Sequence, residues 1–132
     1  RAILVEADEA ACDVANSNAD SMGFADSVEG IQATLGSEPV DLSSADVVIS
    51  NPQWGRQTPR ADRPFREAMI VAATPTHLLH SAEATHIQPM FEDVGWSAEG
   101  YGEADFALPA AYSHHSRQRG RTRAAFWRLT PP

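Results

Sequence analysis

Two rhythms of apolar residues run along the chain. Ile3-Leu4-Val5 is a short apolar run that ends in Glu6, Ala7 and Asp8, as a buried parallel strand does: branched residues, then polar ones at its carboxyl end. Asp8 can cap a helix, with Glu9 in the first turn; Ala11, Ala15, Ala19 and Met22 then share one helical stripe that Gly23 stops. Ser27 to Leu35, around Val28 and Ile31, reads as a second strand, followed by a polar connection from Gly36 to Ser44. Asp46-Val47-Val48-Ile49-Ser50 is the clearest strand, closed by the turn signal Asn51-Pro52.

Helical spacing returns after Asp62. Pro64 sits early in the helix, and Phe65, Ala68, Met69 and Ala72 follow the i, i+3, i+4, i+7 rule up to Pro75. Thr76 to His80 reads as a strand. Ile87, Met90, Phe91 and Val94 form a further stripe ended by Gly95, with Pro89 in its first turn or, alternatively, kinking a longer helix from Ser81. Trp96 to Leu108 and Thr122 to Leu129 read as two strands with no helix between them, hence antiparallel neighbours. The order β-α-β-β-α-β-α-β-β predicts an α/β sheet, mostly parallel, with a C-terminal antiparallel hairpin.

Composition narrows the function classes. Over 132 residues, 18 acidic side chains outnumber 10 basic ones, for a formal charge of −8, and every basic residue is Arg. Such a field disfavours a generally basic nucleic-acid coat protein but leaves room for a local basic patch. The single cysteine, Cys12, excludes an internal disulfide framework and a cysteine-built zinc site; on a helix among alanines it reads as packing. With no basic-then-apolar leader, the expectation is a cytoplasmic protein. Acidic, lysine-free composition also suits solubility in high salt, or a GC-rich genome.

Open α/β sheets bind ligands at the carboxyl ends of their strands. Glu6, just past its strand, can accept hydrogen bonds from both hydroxyls of a ribose, or simply cap the next helix with Asp8. Asn51-Pro52-Gln53-Trp54-Gly55 follows the next such strand. A nucleobase amine is a poor nucleophile because its lone pair is delocalised into the ring. An Asn side-chain oxygen and the carbonyl of a rigid proline can accept its two N–H bonds and free that lone pair, while an aromatic ring stacks on the flipped base. The plain alternative is an Asn-Pro turn with a packed Trp.

On these residues the chain resembles the Rossmann-like S-adenosylmethionine methyltransferases that act on adenine N6. Their Asn/Asp-Pro-Pro-aromatic motif stands here as Asn51-Pro52-Gln53-Trp54. More narrowly it is similar to the small-subunit ribosomal RNA adenine-N6 methyltransferases of archaea and eukaryotes. That likeness is carried by Glu6-Ala7-Asp8-Glu9, Ala61-Asp62-Arg63-Pro64-Phe65, His77-Leu78-Leu79-His80-Ser81, and Leu108-Pro109-Ala110-Ala111-Tyr112 with His114-His115. The resemblance implies a single methyltransferase domain over 1–132, the C-terminal two-thirds of a longer protein, and S-adenosylmethionine as cofactor. Asn51, Pro52, Gln53 and Trp54 would be catalytic; Glu6, Asp8 and Asn51 would face the cofactor; no metal is required. It also implies a small zinc-binding activator that adds a strand at the sheet edge near Ser27 to Leu35.

Three departures bear on activity. No glycine-rich loop precedes Ile3, so the family's central first strand is expected before Arg1; the motif's second proline is Gln53; and the acidic residue that reads the cofactor adenine is replaced by the neighbourhood Ala33-Thr34-Leu35. These favour an alternative, a catalytically degenerate RNA- or partner-binding module. The same motif also serves protein amides and other bases. Arg117, Arg119, Arg121 and Arg123 recur every second residue, a concentrated basic spot suited to RNA phosphate together with Tyr112 and His114; the alternative is a solvated hairpin tip or pairing with the acidic surface. Adjacent His114 and His115, without a spaced third ligand, do not make a metal site, and His77 and His80 read as structural.

Overall fold

The computed structural model describes residues 1–52, 54, 61–107 and 121–132. The chain divides into two compact units, Arg1–Asp41 and Leu42–Pro132, and each is described by itself.

The first unit is one strand–helix–strand crossover. β1 (Ala2–Glu6) and β2 (Val28–Gln32) pair in parallel, from Ala2 opposite Val28 to Glu6 opposite Gln32, with α1 (Glu9–Ser21) between them. Asp8 caps α1 by accepting from the Ala11 N–H at 3.2 Å. Gly23, at φ 79°, takes the chain out of the helix in a left-handed conformation open to glycine without a Cβ penalty. The inward stripe of α1 runs through Cys12 and Ala19; Ala11 and Met22, assigned to that stripe by spacing, face outward, Met22 at 73% exposure. At 100° per residue, positions 12 and 19 lie almost on one line, and the shift by one residue from position 11 selects the cysteine. Gly30 is where β2 meets α1: a Cβ there would lie 2.6 Å from Asn16 Oδ1 and 3.0 Å from Cys12 Sγ. β2 is shorter than the run Ser27 to Leu35. Beyond Gln32 the Ala33 N–H still reaches Glu6 O, but the Thr34 N–H turns to the Glu38 carboxylate at 2.6 Å.

The second unit carries a four-stranded sheet in the order β3-β4-β6-β5, built from β3 (Val48–Ser50), β4 (Thr76–Ser81), β5 (Ser97–Ala107) and β6 (Arg121–Thr130). β3 and β4 are parallel, and β4–β6 and β6–β5 are antiparallel. β3 keeps only three residues of the five expected, because its ladder with β4 begins at Val48 opposite Thr76. Tyr101 bulges out of β5, since Gly100 opposes Trp127 and Gly102 opposes Phe126. α2 (Arg63–Ala72) has Pro64 in its first turn and ends on left-handed Ala73; α3 (Ile87–Glu92) has Pro89 in its first turn and is followed by Gly95 at φ 82°. The kinked helix from Ser81 does not form, because Ser81 is still strand. Met69, Leu78, Ile87, Phe91, Trp96 and Leu129 close the core, with the Phe91 and Trp96 rings 5.5 Å apart. Each such side chain, fully buried, contributes about 1.5–3 kcal/mol. Among the described residues no helix is long and apolar enough to cross a membrane.

Candidate functional site

In the first unit the carboxyl end of β1 presents Glu6. Its Oε1 accepts the N–H groups of Ala7 at 2.8 Å and Asp8 at 3.0 Å. Two backbone donors on one oxygen fix the carboxylate's direction, and Oε2 has no partner among the described residues. Such a carboxylate is oriented in advance to accept from a further donor. Asp8 is engaged as the α1 cap. Glu38 brings a second carboxylate to the end of β2, through Thr34 N. Spacing pointed to Ala33-Thr34-Leu35 as a stretch without an acid, and only the turn at Gly36 (φ 87°) returns Glu38 to it.

In the second unit Asn51 and Pro52 follow β3 directly, Asn51 exposed and Pro52 buried. Asn51 Oδ1 accepts the Trp54 indole N–H at 3.2 Å. An amide oxygen has two lone pairs, so one remains for a further donor. The Trp54 ring stacks against the His80 ring, with centroids 6.1 Å apart and planes 26° from parallel. Trp54 also borders a cavity of about 540 Å³ lined with Asp62, Arg66, His86 and Met90. Gln53 lies outside the described residues.

Beneath Trp54 the buried Asp62 gathers three cationic or donor groups on one oxygen. Its Oδ2 is 3.0 Å from His86 Nε2, 3.0 Å from Arg66 Nε and 3.4 Å from His80 Nε2. Asp62 stands at the N-cap of α2 yet makes no side-chain capping bond; it spends its carboxylate on the cluster instead. Burial by itself would raise the Asp62 pKa, but the His86 hydrogen bond and the charges of Arg66, His86 and His80 outweigh it and hold the carboxyl below its ordinary value. Burial pushes the His80 imidazole down; Asp62 opposes that, while the His86 and Arg66 charges add to it. His80 is therefore a neutral ring at neutral pH. Both of its ring nitrogens are buried without a hydrogen-bond partner among the described residues.

Of the residues expected to touch RNA, Tyr112, His114, Arg117 and Arg119 lie outside the described residues. Arg121 opens β6 opposite Ala107. Arg123 pairs through Nε with Glu103 Oε2 at 2.9 Å, so one of the four arginines is matched to the acidic surface. Sequence reasoning missed the Asp62–Arg66–His80–His86 cluster. Asp62 read as a helix start and His80 as a strand residue, and no spacing rule links positions 62, 80 and 86.

No protein-family model matches the chain, and no curated protein matches it. Solved structures do match. The crystal structure of a candidate RNA methyltransferase from Pyrococcus horikoshii superposes with a TM-score of 0.79 at 21% identity, over 98% of this chain and 62% of that one. A Thermoplasma acidophilum protein superposes at 0.72 and 20% identity, over 98% and 65%. Pyrococcus horikoshii TYW2, in complex with MeSAdo, superposes at 0.59 and 10% identity, over 97% and 47%. The fold is that of the Rossmann-like methyltransferases. The chain spans less than two thirds of the length of each of these three structures.

Proposed function

We propose that the chain is part of a single-domain S-adenosylmethionine-dependent methyltransferase whose substrate is the exocyclic amine of adenine in RNA, with ribosomal RNA as the target. The observation that carries this reading is Asn51-Pro52 at the carboxyl end of a parallel strand, with an aromatic ring hydrogen-bonded to the Asn oxygen and bordering a cavity. Two of the solved structures sharing the fold, one from Pyrococcus horikoshii and one from Streptococcus pneumoniae, are described as candidate RNA and tRNA methyltransferases, which supports RNA as the substrate class.

The residues present suit the cofactor at one point. Glu6 has one carboxylate oxygen held by backbone and the other unpartnered among the described residues, as a ribose hydroxyl requires. S-adenosylmethionine, when bound, supplies an electrophilic methyl group. The chain's own part is positioning. The Asn51 oxygen and the Pro52 carbonyl accept the two amine hydrogens and draw the nitrogen toward tetrahedral geometry. Trp54 stacks on the base. With the cofactor bound, the amine so held would bond to the methyl carbon as the methyl–sulfur bond breaks, the sulfur leaving as a neutral thioether and one amine proton passing to water. Asp8 and Asn51 would also serve in cofactor binding, Gln53 would shape the turn, and Tyr112, His114 and the arginines 117, 119, 121 and 123 would hold RNA phosphates and bases. The family resemblance implies a small zinc-binding activator, which would add a strand beside β2 of the two-stranded sheet. The reading places the protein in the cytoplasm.

Asn51→Ala should reduce methyl transfer about 100-fold or more without altering the circular dichroism spectrum; near-normal turnover would overturn the assignment. Trp54→Ala should weaken use of the RNA more than binding of the cofactor. Gln53 in place of a proline favours the second reading, a non-catalytic RNA- or partner-binding module. Calorimetry of the full-length protein with S-adenosylmethionine separates the two: heat of binding supports the enzyme, and none supports the module.

A further inference from the structure

The geometry points to a divalent-metal site, for zinc by the chemistry of its donors, formed by Asp62, His80 and His86. One donor atom from each lies within 4.8 Å of the others. The three come from separate elements: Asp62 from the N-cap of α2, His80 from the core face of β4, and His86 from the N-cap of α3. In a tetrahedral zinc site, bonds of about 2.0–2.1 Å set neighbouring donor atoms about 3.3 Å apart. Asp62 Oδ2 stands 3.0 Å from His86 Nε2 and 3.4 Å from His80 Nε2. Two edges of the polyhedron are thus already at the required length.

A second, independent feature is the state of His80. It is 1% exposed, and neither ring nitrogen has a hydrogen-bond partner among the described residues. Burying an imidazole nitrogen without a partner is costly. A metal ion would take the lone pair of Nε2 and relieve that cost at one of the two nitrogens. Two imidazoles and one carboxylate form a borderline donor set that suits zinc better than calcium or magnesium, which prefer oxygen. His86 is half exposed and faces the cavity that Trp54, Arg66 and Met90 border, so water can complete the coordination from that side.

Arg66 acts against the ion. Its Nε lies 3.0 Å from the same Asp62 oxygen, and its Nη1 touches the Met90 sulfur. In the metal-bound form the guanidinium moves off Oδ2, toward Met90 or the second carboxylate oxygen, and its positive charge lowers the affinity. That yields a signature a merely structural cluster would not have: removing Arg66 should tighten binding. The site does not depend on the methyl-transfer reading, and its failure would leave that reading intact.

The test is titration of the chelator-treated protein with Zn²⁺ by calorimetry and with Co²⁺ by visible absorption. One ion per chain is expected, with the intense absorption of tetrahedral Co²⁺, displaced by Zn²⁺. His86→Ala, at a half-exposed position that leaves the core intact, should weaken binding more than about 100-fold, beyond the loss of a mere supporting hydrogen bond. Arg66→Gln should tighten it, and His77→Ala should leave it unchanged. A weak octahedral Co²⁺ spectrum that His86→Ala does not alter, or an affinity that falls with Arg66→Gln, would overturn the site.

Discussion

The two units bury their interiors differently. In Arg1–Asp41 the buried apolar residues are Cys12, Ala19 and Ala33, all small. The unit is held by the β1–β2 ladder, the Asp8 cap and the close approach of α1 to Gly30. In Leu42–Pro132 the interior is made of Phe91, Trp96, Leu78, Ile87, Leu129 and Met69, and a buried charge cluster sits under Trp54. The first arrangement fixes the backbone end of a strand, and therefore one carboxylate. The second fixes side chains from three elements against one another. The former needs only local chain geometry; the latter needs a closed tertiary core.

Truncating the large core should separate the units most. Phe91→Ala should destabilise the second unit by about 3–5 kcal/mol, measured by urea unfolding. Cys12→Ala, at the equivalent place in the first unit, should cost under about 1.5 kcal/mol because so little volume is removed. Equal losses would break the comparison.

A smaller loss should come from acid acting on the buried cluster of the second unit. Both Asp62 and His80 have lowered pKa values in the folded protein, so the unfolded chain binds more protons than the folded one in the acid range. The His80 contribution is complete above its ordinary value of 6.5 and is lost as pH falls through its lower folded value. The Asp62 contribution is complete above 3.8 and is lost below that. Stability against urea should therefore decline as pH drops below 6.5, and His80→Asn should flatten that first decline. An unchanged slope in that variant would assign the decline elsewhere.

Gly30→Ala should cost about 1 kcal/mol, the steric displacement of Asn16 and Cys12 being partly offset by a stiffer unfolded chain. Its effect should appear in hydrogen exchange of α1 and β2 and not in β4–β6. The smallest effect belongs to the exposed Arg123–Glu103 pair, where Arg123→Ala should change stability by under about 1 kcal/mol, less at high salt. A larger change would mean that this arginine does more than match a surface acid.

Element order was legible along the chain because it is written in local periodicity. Alternation of apolar runs and helical stripes, with Asp8, Gly23, Pro64 and Gly95 as punctuation, marks the nine elements of the described residues. Strand lengths were less legible: β2 and β3 are cut short by where their partners' hydrogen bonds begin and end, and a strand's neighbours are not encoded in its own residues. The motif Asn51-Pro52-Gln53-Trp54 and the carboxylate of Glu6 were likewise visible, since each follows its strand directly in sequence.

What the tertiary structure alone decided is which distant side chains share a site. The Glu38 carboxylate returns to Thr34 through a turn. Asp62, Arg66, His80 and His86 converge because α2, β4 and the start of α3 pack together beside one buried oxygen. Local sequence sets backbone conformation over a few residues, through sterics and short-range hydrogen bonds. Convergence over 24 residues between Asp62 and His86 is set by core packing around Phe91, Ile87 and Leu78, and it exists only once that core has closed.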